Sequence, residues 1–114
     1  MSATLTVKVL RGEGLRAADS NGSSDPYAVL HVGDAKPWRS QTRHRDLNPV
    51  WNGSAIFERV PLQRTPYATV EVWDADLATA DDPLGKAMLP IAQLLLACGL
   101  NAAAARRVVR ERGG

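Results

Sequence analysis

The run Ala68-Thr-Val-Glu-Val-Trp73 alternates strictly and leads straight into Asp74-Ala-Asp76. Period-2 alternation of this length marks a half-buried β-strand, with Val70 and Val72 on its inner face. Residues two apart leave such a strand on one side, so Asp74 and Asp76 must emerge together at one end of the sheet. The acidic stretch continues through Asp81-Asp82-Pro-Leu-Gly85. Nearly fifty residues earlier stands a second one, Asp19-Ser-Asn-Gly-Ser-Ser-Asp25-Pro-Tyr27. Together they hold six of the chain's twelve acidic residues. Carboxylates gathered in this way repel one another unless a cation lies between them.

Other segments alternate as well. Leu5, Val7 and Val9 interleave with Thr6 and Lys8 as a first strand, and Tyr27 to Val32 reads as a second, closed by Gly33-Asp34. Residues 39–45 are a polar third strand, 54–60 a fourth, 68–73 the fifth and 85–89 a short sixth. Pro90 opens a short helix over 90–97, since proline is tolerated in a first turn. Residues 95–114 stay unassigned: Asn101 and four alanines resemble a helix start, whereas Arg106-Arg-Val-Val-Arg reads equally as a seventh strand.

Short strands broken by Gly, Pro, Asn and Asp predict an all-β antiparallel sandwich, one domain over residues 1–114. Apolar content of 45% and charged content of 23% are ordinary for a globular chain that buries one core. If consecutive strands run antiparallel, the loops 11–26, 46–53 and 74–84 emerge at one end. Both acidic segments then converge there.

Five carboxylates at that end, Asp19, Asp25, Asp74, Asp76 and Asp82, offer only hard oxygen ligands. A loose site of many oxygens suits calcium, which takes 6–8 of them, better than magnesium. Aspartates also favour turns, which accounts for one or two of the five but not for all at converging loops. An EF-hand beginning at Asp19 would need Gly and Glu where the chain has Ser24 and Leu30. Strand-Asp74-Ala-Asp76 is also the pattern of haloacid-dehalogenase phosphatases, but Ala78 stands where they carry Thr or Val, and a β-rich chain lacks their α/β core. No nucleophile–base pair is evident, so the expectation is a protein that is not an enzyme.

The lone Cys98 cannot form an internal disulfide and reads as a small apolar residue, compatible with a reducing compartment. No apolar stretch approaches the roughly 20 residues of a membrane span. The N-terminus carries no signal-like h-region, and Ser2 excludes myristoylation. The expected location is cytoplasmic, peripheral on membranes when calcium is bound.

Four stretches are similar to one known family: Leu5-Thr-Val-Lys-Val-Leu, Ser24-Asp-Pro-Tyr27, Leu47-Asn-Pro-Val-Trp-Asn52, and Val72-Trp-Asp-Ala-Asp76 with Asp81-Asp-Pro-Leu-Gly85. Over about residues 4 to 96 the chain resembles the C2 domain, the calcium- and lipid-binding β-sandwich of protein kinase C and synaptotagmin. The resemblance implies a Greek-key sandwich of seven to eight strands in type II-like order. It implies two or three calcium ions held by Asp19, Asp25, Asp74, Asp76 and Asp82, with the main-chain carbonyls of Ala18 and Ala75 and the hydroxyl of Thr79. Asp81 is expected to add field rather than a bond. The chain stops at Gly113-Gly114, where a type II domain would begin its last strand; the expectation is an excised piece or a missing edge strand.

On a strand over 39–45, Arg39, Arg43 and Arg45 share a face, and guanidiniums on one surface suit phosphate. That face resembles the family's basic strand, and His44 points away from it into packing. His31 has no partner motif that would make it a ligand. Trp38 is expected half-buried at the rim of the opposite end, and Trp51 as a core anchor. In the third loop Leu77 offers the main apolar contact. The implied partners are anionic phospholipid membranes, with phosphoinositide headgroups and proteins as further candidates and no nucleic acid. The competing reading is a protein-interaction domain in which calcium is mainly structural.

Overall fold

A computed structural model of the 114-residue chain describes residues 2–18, 22–77 and 79–92. Its strands run β1 (Ser2–Arg11), β2 (Pro26–Val32), β3 (Trp38–Arg39), β4 (Val50–Pro61), β5 (Tyr67–Asp74) and β6 (Asp82–Pro90), with a 3-10 turn at Leu62–Arg64. Among the described residues β1 pairs with β4, and a four-stranded sheet has the order β3-β2-β5-β6. Every pairing is antiparallel. The all-β antiparallel class is therefore as expected. The helix expected over 90–97 is limited here to helical residues 91 and 92. Its remainder and the expected seventh strand lie outside the described residues.

Alternation explains the core. Leu5, Val7 and Val9 of β1 face Ala28, Leu30 and Val32 of β2 and Val70 and Val72 of β5 across the interior, and Phe57 of β4 completes the layer. The β4 strand keeps Trp51, Ala55, Phe57 and Val60 inward over twelve residues by taking up an extra residue twice, while Val50 and Ile56 face outward. Its register against β1 shifts between Ala3/Leu5 and between Val9/Arg11. Opposite those shifts Arg59 and Asn52 adopt positive φ, 54° and 47°, the signature of residues bulged out of a ladder.

The third strand differs from expectation. It pairs only Trp38 and Arg39 with β2, not the whole of 39–45. The reason is a side chain. Ser40 N–H still donates to the Ala28 carbonyl at 2.8 Å, but Ala28 N–H donates to Ser40 Oγ, also at 2.8 Å, rather than to a main-chain carbonyl. A hydroxyl that takes over a ladder position frees the backbone to leave the sheet. The chain rejoins β2 only where Arg43 N–H reaches the Pro26 carbonyl, 2.9 Å away.

Trp51 is buried as expected, with its indole N–H towards the Pro26 carbonyl at 3.3 Å. Trp38 is half-buried, and its ring lies flush on Gly53 of β4, so the short β3 still ties one sheet to the other. A Cβ at Gly53 would stand 2.4 Å from both Cη2 and Cζ2 of that ring. We predict that Gly53→Ala lowers unfolding stability by about 1–3 kcal/mol in urea titrations, the usual cost of overpacking. Adding Trp38→Leu should recover part of the loss.

Candidate functional site

Three neighbouring strand ends carry acids. Within the four-stranded sheet Pro26 pairs with Asp74, and Asp74 with Asp82, so Asp25, Asp74 and Asp82 stand side by side on one rim. The two acidic segments are joined directly. Asp25 N–H donates to Asp74 Oδ1 at 2.7 Å across 49 residues of sequence, and Ala75 N–H returns a bond to the Asp25 carbonyl at 3.0 Å. Asp74 is 0% exposed. A carboxylate so far from water is costly to keep charged unless donors or a cation answer it.

The loop between β1 and β2 is held by Ser24, which is fully buried. Its hydroxyl accepts from Ala18 N–H and donates to the Arg16 carbonyl, each at 2.9 Å. Its own carbonyl accepts from Asp46 N–H at 3.0 Å. Further along, Gly12 and Leu15 N–H groups bond the carbonyls of Pro49 and Leu47, and Gly14 N–H bonds Asn48 Oδ1. Arg16 crosses to the other acidic segment and donates to the Pro83 carbonyl. The first and second loops are thus zipped together, and an arginine straps the first to the start of β6. Ser24 and Arg16 are contributors that the sequence reading missed. Only the position of Ser24 before Asp25-Pro26 hinted at its part.

The loop between β3 and β4 also reaches the rim. Arg45, at φ 48°, donates its N–H to Asp25 Oδ1 at 2.8 Å. His44 was expected to turn away into packing. Instead its side chain is 77% exposed and Nδ1 lies 3.3 Å from Asp25 Oδ2. The shortened β3 brings about both contacts. Arg39, Arg43 and Arg45 accordingly do not share one strand face. Arg39 lies over the Tyr27 ring, 3.7 Å from its centroid, while Arg43 Nε donates to the Val50 carbonyl at 2.8 Å. His31 faces Glu71 at 2.7 Å, away from the rim.

In the third loop Thr79 closes on Asp76. Its N–H meets Oδ1 at 3.3 Å and its hydroxyl meets Oδ2 at 2.8 Å. Asp81, not expected among the calcium ligands, makes two hydrogen bonds within the protein: Oδ1 accepts from Asp76 N–H at 2.9 Å, and Oδ2 accepts from the Tyr27 hydroxyl. Leu77 is fully exposed at the tip.

Of the expected ligands, Asp25, Asp74, Asp76, Asp82, Ala18, Ala75 and Thr79 lie at this rim, and Asp19 falls outside the described residues. Among the described residues no three acidic or imidazole side chains stand close enough to hold an ion as they are. The donor chemistry nevertheless fits a hard cation: carboxylates and main-chain carbonyls on adjacent strand ends, one carboxylate wholly buried.

Burial, then the bond to Asp81, pushes the Tyr27 hydroxyl from 10.0 up to about 12. The Tyr27 O–H, then Asp76 N–H, holds Asp81 below the ordinary carboxylate range. The phenol favours folding in full below its unfolded value near 10 and loses that contribution as pH rises towards 12. The carboxylate contributes above the ordinary range and loses its contribution in acid. In a Tyr67→Phe background, tyrosinate absorbance should therefore report a midpoint near 12 for Tyr27, lowered in Asp81→Ala but still held above 10 by burial. We also predict that Ser24→Ala costs about 1–3 kcal/mol in denaturant titrations run in chelator, because two main-chain groups lose their buried partner.

Comparison with known proteins follows the same lines. A family profile described as C2 domain matches residues 3–104. The chain is 37% identical over 92 residues to human "Multiple C2 and transmembrane domain-containing protein 1", covering 81% of this chain and 9% of that protein. It is 38% identical over 92 residues to Tricalbin-3 of Saccharomyces cerevisiae, covering 79% and 6%. Synaptotagmin-7 of Mus musculus is 35% identical over 95 residues, covering 78% and 23%. The chain thus spans less than a quarter of the length of each of these curated relatives. Among solved structures, a C2 domain of plant Extended Synaptotagmin 1 superposes with a TM-score of 0.74 at 26% identity, covering 81% of this chain and 71% of that one.

Proposed function

The chain belongs to the C2 domain family, and we propose that it is a calcium-dependent module that binds anionic phospholipid surfaces peripherally and carries no catalysis of its own. One observation carries this reading: Asp25, Asp74 and Asp82 occupy three adjacent strand ends, with Asp74 buried between its neighbours. Asp19, Asp25, Asp74, Asp76 and Asp82 hold the ions, two or three in number, with the carbonyls of Ala18 and Ala75 and the Thr79 hydroxyl as further donors. Bound calcium supplies positive charge and coordination positions open to lipid phosphate.

The remaining work falls to the chain's own residues. Main-chain donors fix Asp25 and Asp74 beside each other before any ion arrives, and the remaining acids close in on binding. Leu77 projects from the tip as the apolar contact, and burying it contributes only about 2 kcal/mol. Attachment is therefore mainly electrostatic. Two calcium ions carry the formal charge from +2 to about +6. Arg43 and Arg45, on the loop that meets Asp25, stand where headgroup phosphates arrive, and Arg39 lies further down the sheet.

Sedimentation with phosphatidylserine vesicles tests the reading. Pelleting should require calcium, fall steeply between about 0.1 and 0.5 M salt, where the Debye length shrinks well below 10 Å, and vanish in Asp25→Asn/Asp76→Asn. Calcium at 100 times its dissociation constant should raise stability by about 2.7 kcal/mol. Equal pelleting in chelator and calcium would favour the protein-interaction reading and overturn the switch.

A further inference from the structure

Tyr27 stands at the start of β2 on the outer face of its sheet, outside the core cluster, yet it is only 7% exposed. The Arg39 guanidinium covers its ring at 3.7 Å. The ring is thereby fixed in place, and the hydroxyl is aimed at a loop 54 residues further along the chain. That hydroxyl donates to one oxygen of Asp81, and the other oxygen of the same carboxylate accepts Asp76 N–H at 2.9 Å. One side chain therefore links a rigid strand to the main chain of a residue five positions before it. Asp82, the next residue, is exposed and lies opposite Asp74 at the mouth of β6. Neighbouring aspartates thus have different situations: one turned to the rim, one tied down on both oxygens.

We propose that Asp81 is a positioning residue: with the Tyr27 hydroxyl it latches the third loop to the sheet, and so sets the Asp76 main chain where its carboxylate can meet a cation. The proposal rests on the calcium reading given above. Arg39 belongs to the device as the lid that keeps the phenol ring in its place. The latch is made of an O–H and an N–H donor on an acceptor that stays ionised at neutral pH, and such charge-assisted bonds are the stronger kind.

Tyr27→Phe removes the hydroxyl and keeps the ring under Arg39, and Asp81→Asn keeps an acceptor oxygen while removing the charge. Two measurements are made on each variant and on the parent chain: amide exchange of Asp76 by NMR in chelator, and calcium affinity by calorimetry. The latch predicts faster Asp76 exchange in Tyr27→Phe, with calcium affinity roughly three- to tenfold weaker, the range of one lost hydrogen bond. Asp81→Asn, which leaves one acceptor oxygen for two donors, should speed Asp76 exchange at least as much as Tyr27→Phe. The proposal is overturned if Tyr27→Phe leaves both Asp76 exchange and calcium affinity unchanged, or if Asp81→Asn weakens calcium while Asp76 exchange stays as in the parent, which would make Asp81 a source of charge or a ligand. If the parent chain binds no calcium, the functional reading fails. The exchange measurement in chelator then decides the latch alone, with acceleration in Tyr27→Phe supporting it and no change refuting it.

Discussion

A pair of main-chain donors closes the acidic rim. Asp25 N–H on Asp74 Oδ1 and Ala75 N–H on the Asp25 carbonyl join the two segments at the point where β2 and β5 meet. Everything else at that pole is arranged around this junction. The first loop folds back over Ser24, the second lays Arg45 N–H on Asp25, and the third is drawn in through Asp81. Carboxylates repel across such distances, so their companionship is maintained by backbone geometry that the sheet imposes rather than by mutual attraction.

Burial and donation divide the acids by task. Asp74 lies wholly inside, Asp25 is shared among Arg45 N–H and His44, and Asp76 is closed by Thr79. Asp82 alone of the strand-end acids is exposed. The described acids at this rim form a graded series of oxygens, from open to deeply seated. That gradation suits an ion with flexible coordination.

Much of this architecture is legible in the residue pattern. Alternation marks β2 and β5 to within a residue of their limits and the middle half of β1, and the parity of antiparallel strands is enough to bring the acidic loops to one end. What escapes the pattern are the places where side chains take over main-chain roles. Ser40 intercepts the Ala28 N–H and cuts β3 to two residues, Ser24 ties the first loop, and Arg16 straps it to Pro83. Periodicity records which face a side chain occupies; it carries no signal for a hydroxyl substituting for a carbonyl. The direction of His44 goes astray for the same reason, since it depends on a strand that ends five residues earlier. Asn52 and Arg59 likewise adopt a backbone region that neither residue type announces.

The Ser40 fork reaches well beyond its own strand. By parting from β2 at that residue, the polypeptide gains the slack to swing Arg43, His44 and Arg45 up to the acidic pole, instead of spreading them along the flank of the sandwich. One small hydroxyl therefore bears on where these three side chains stand among the described residues. A chain with the same arginines and an unbroken strand would wear them as a belt, whereas here they form part of a collar.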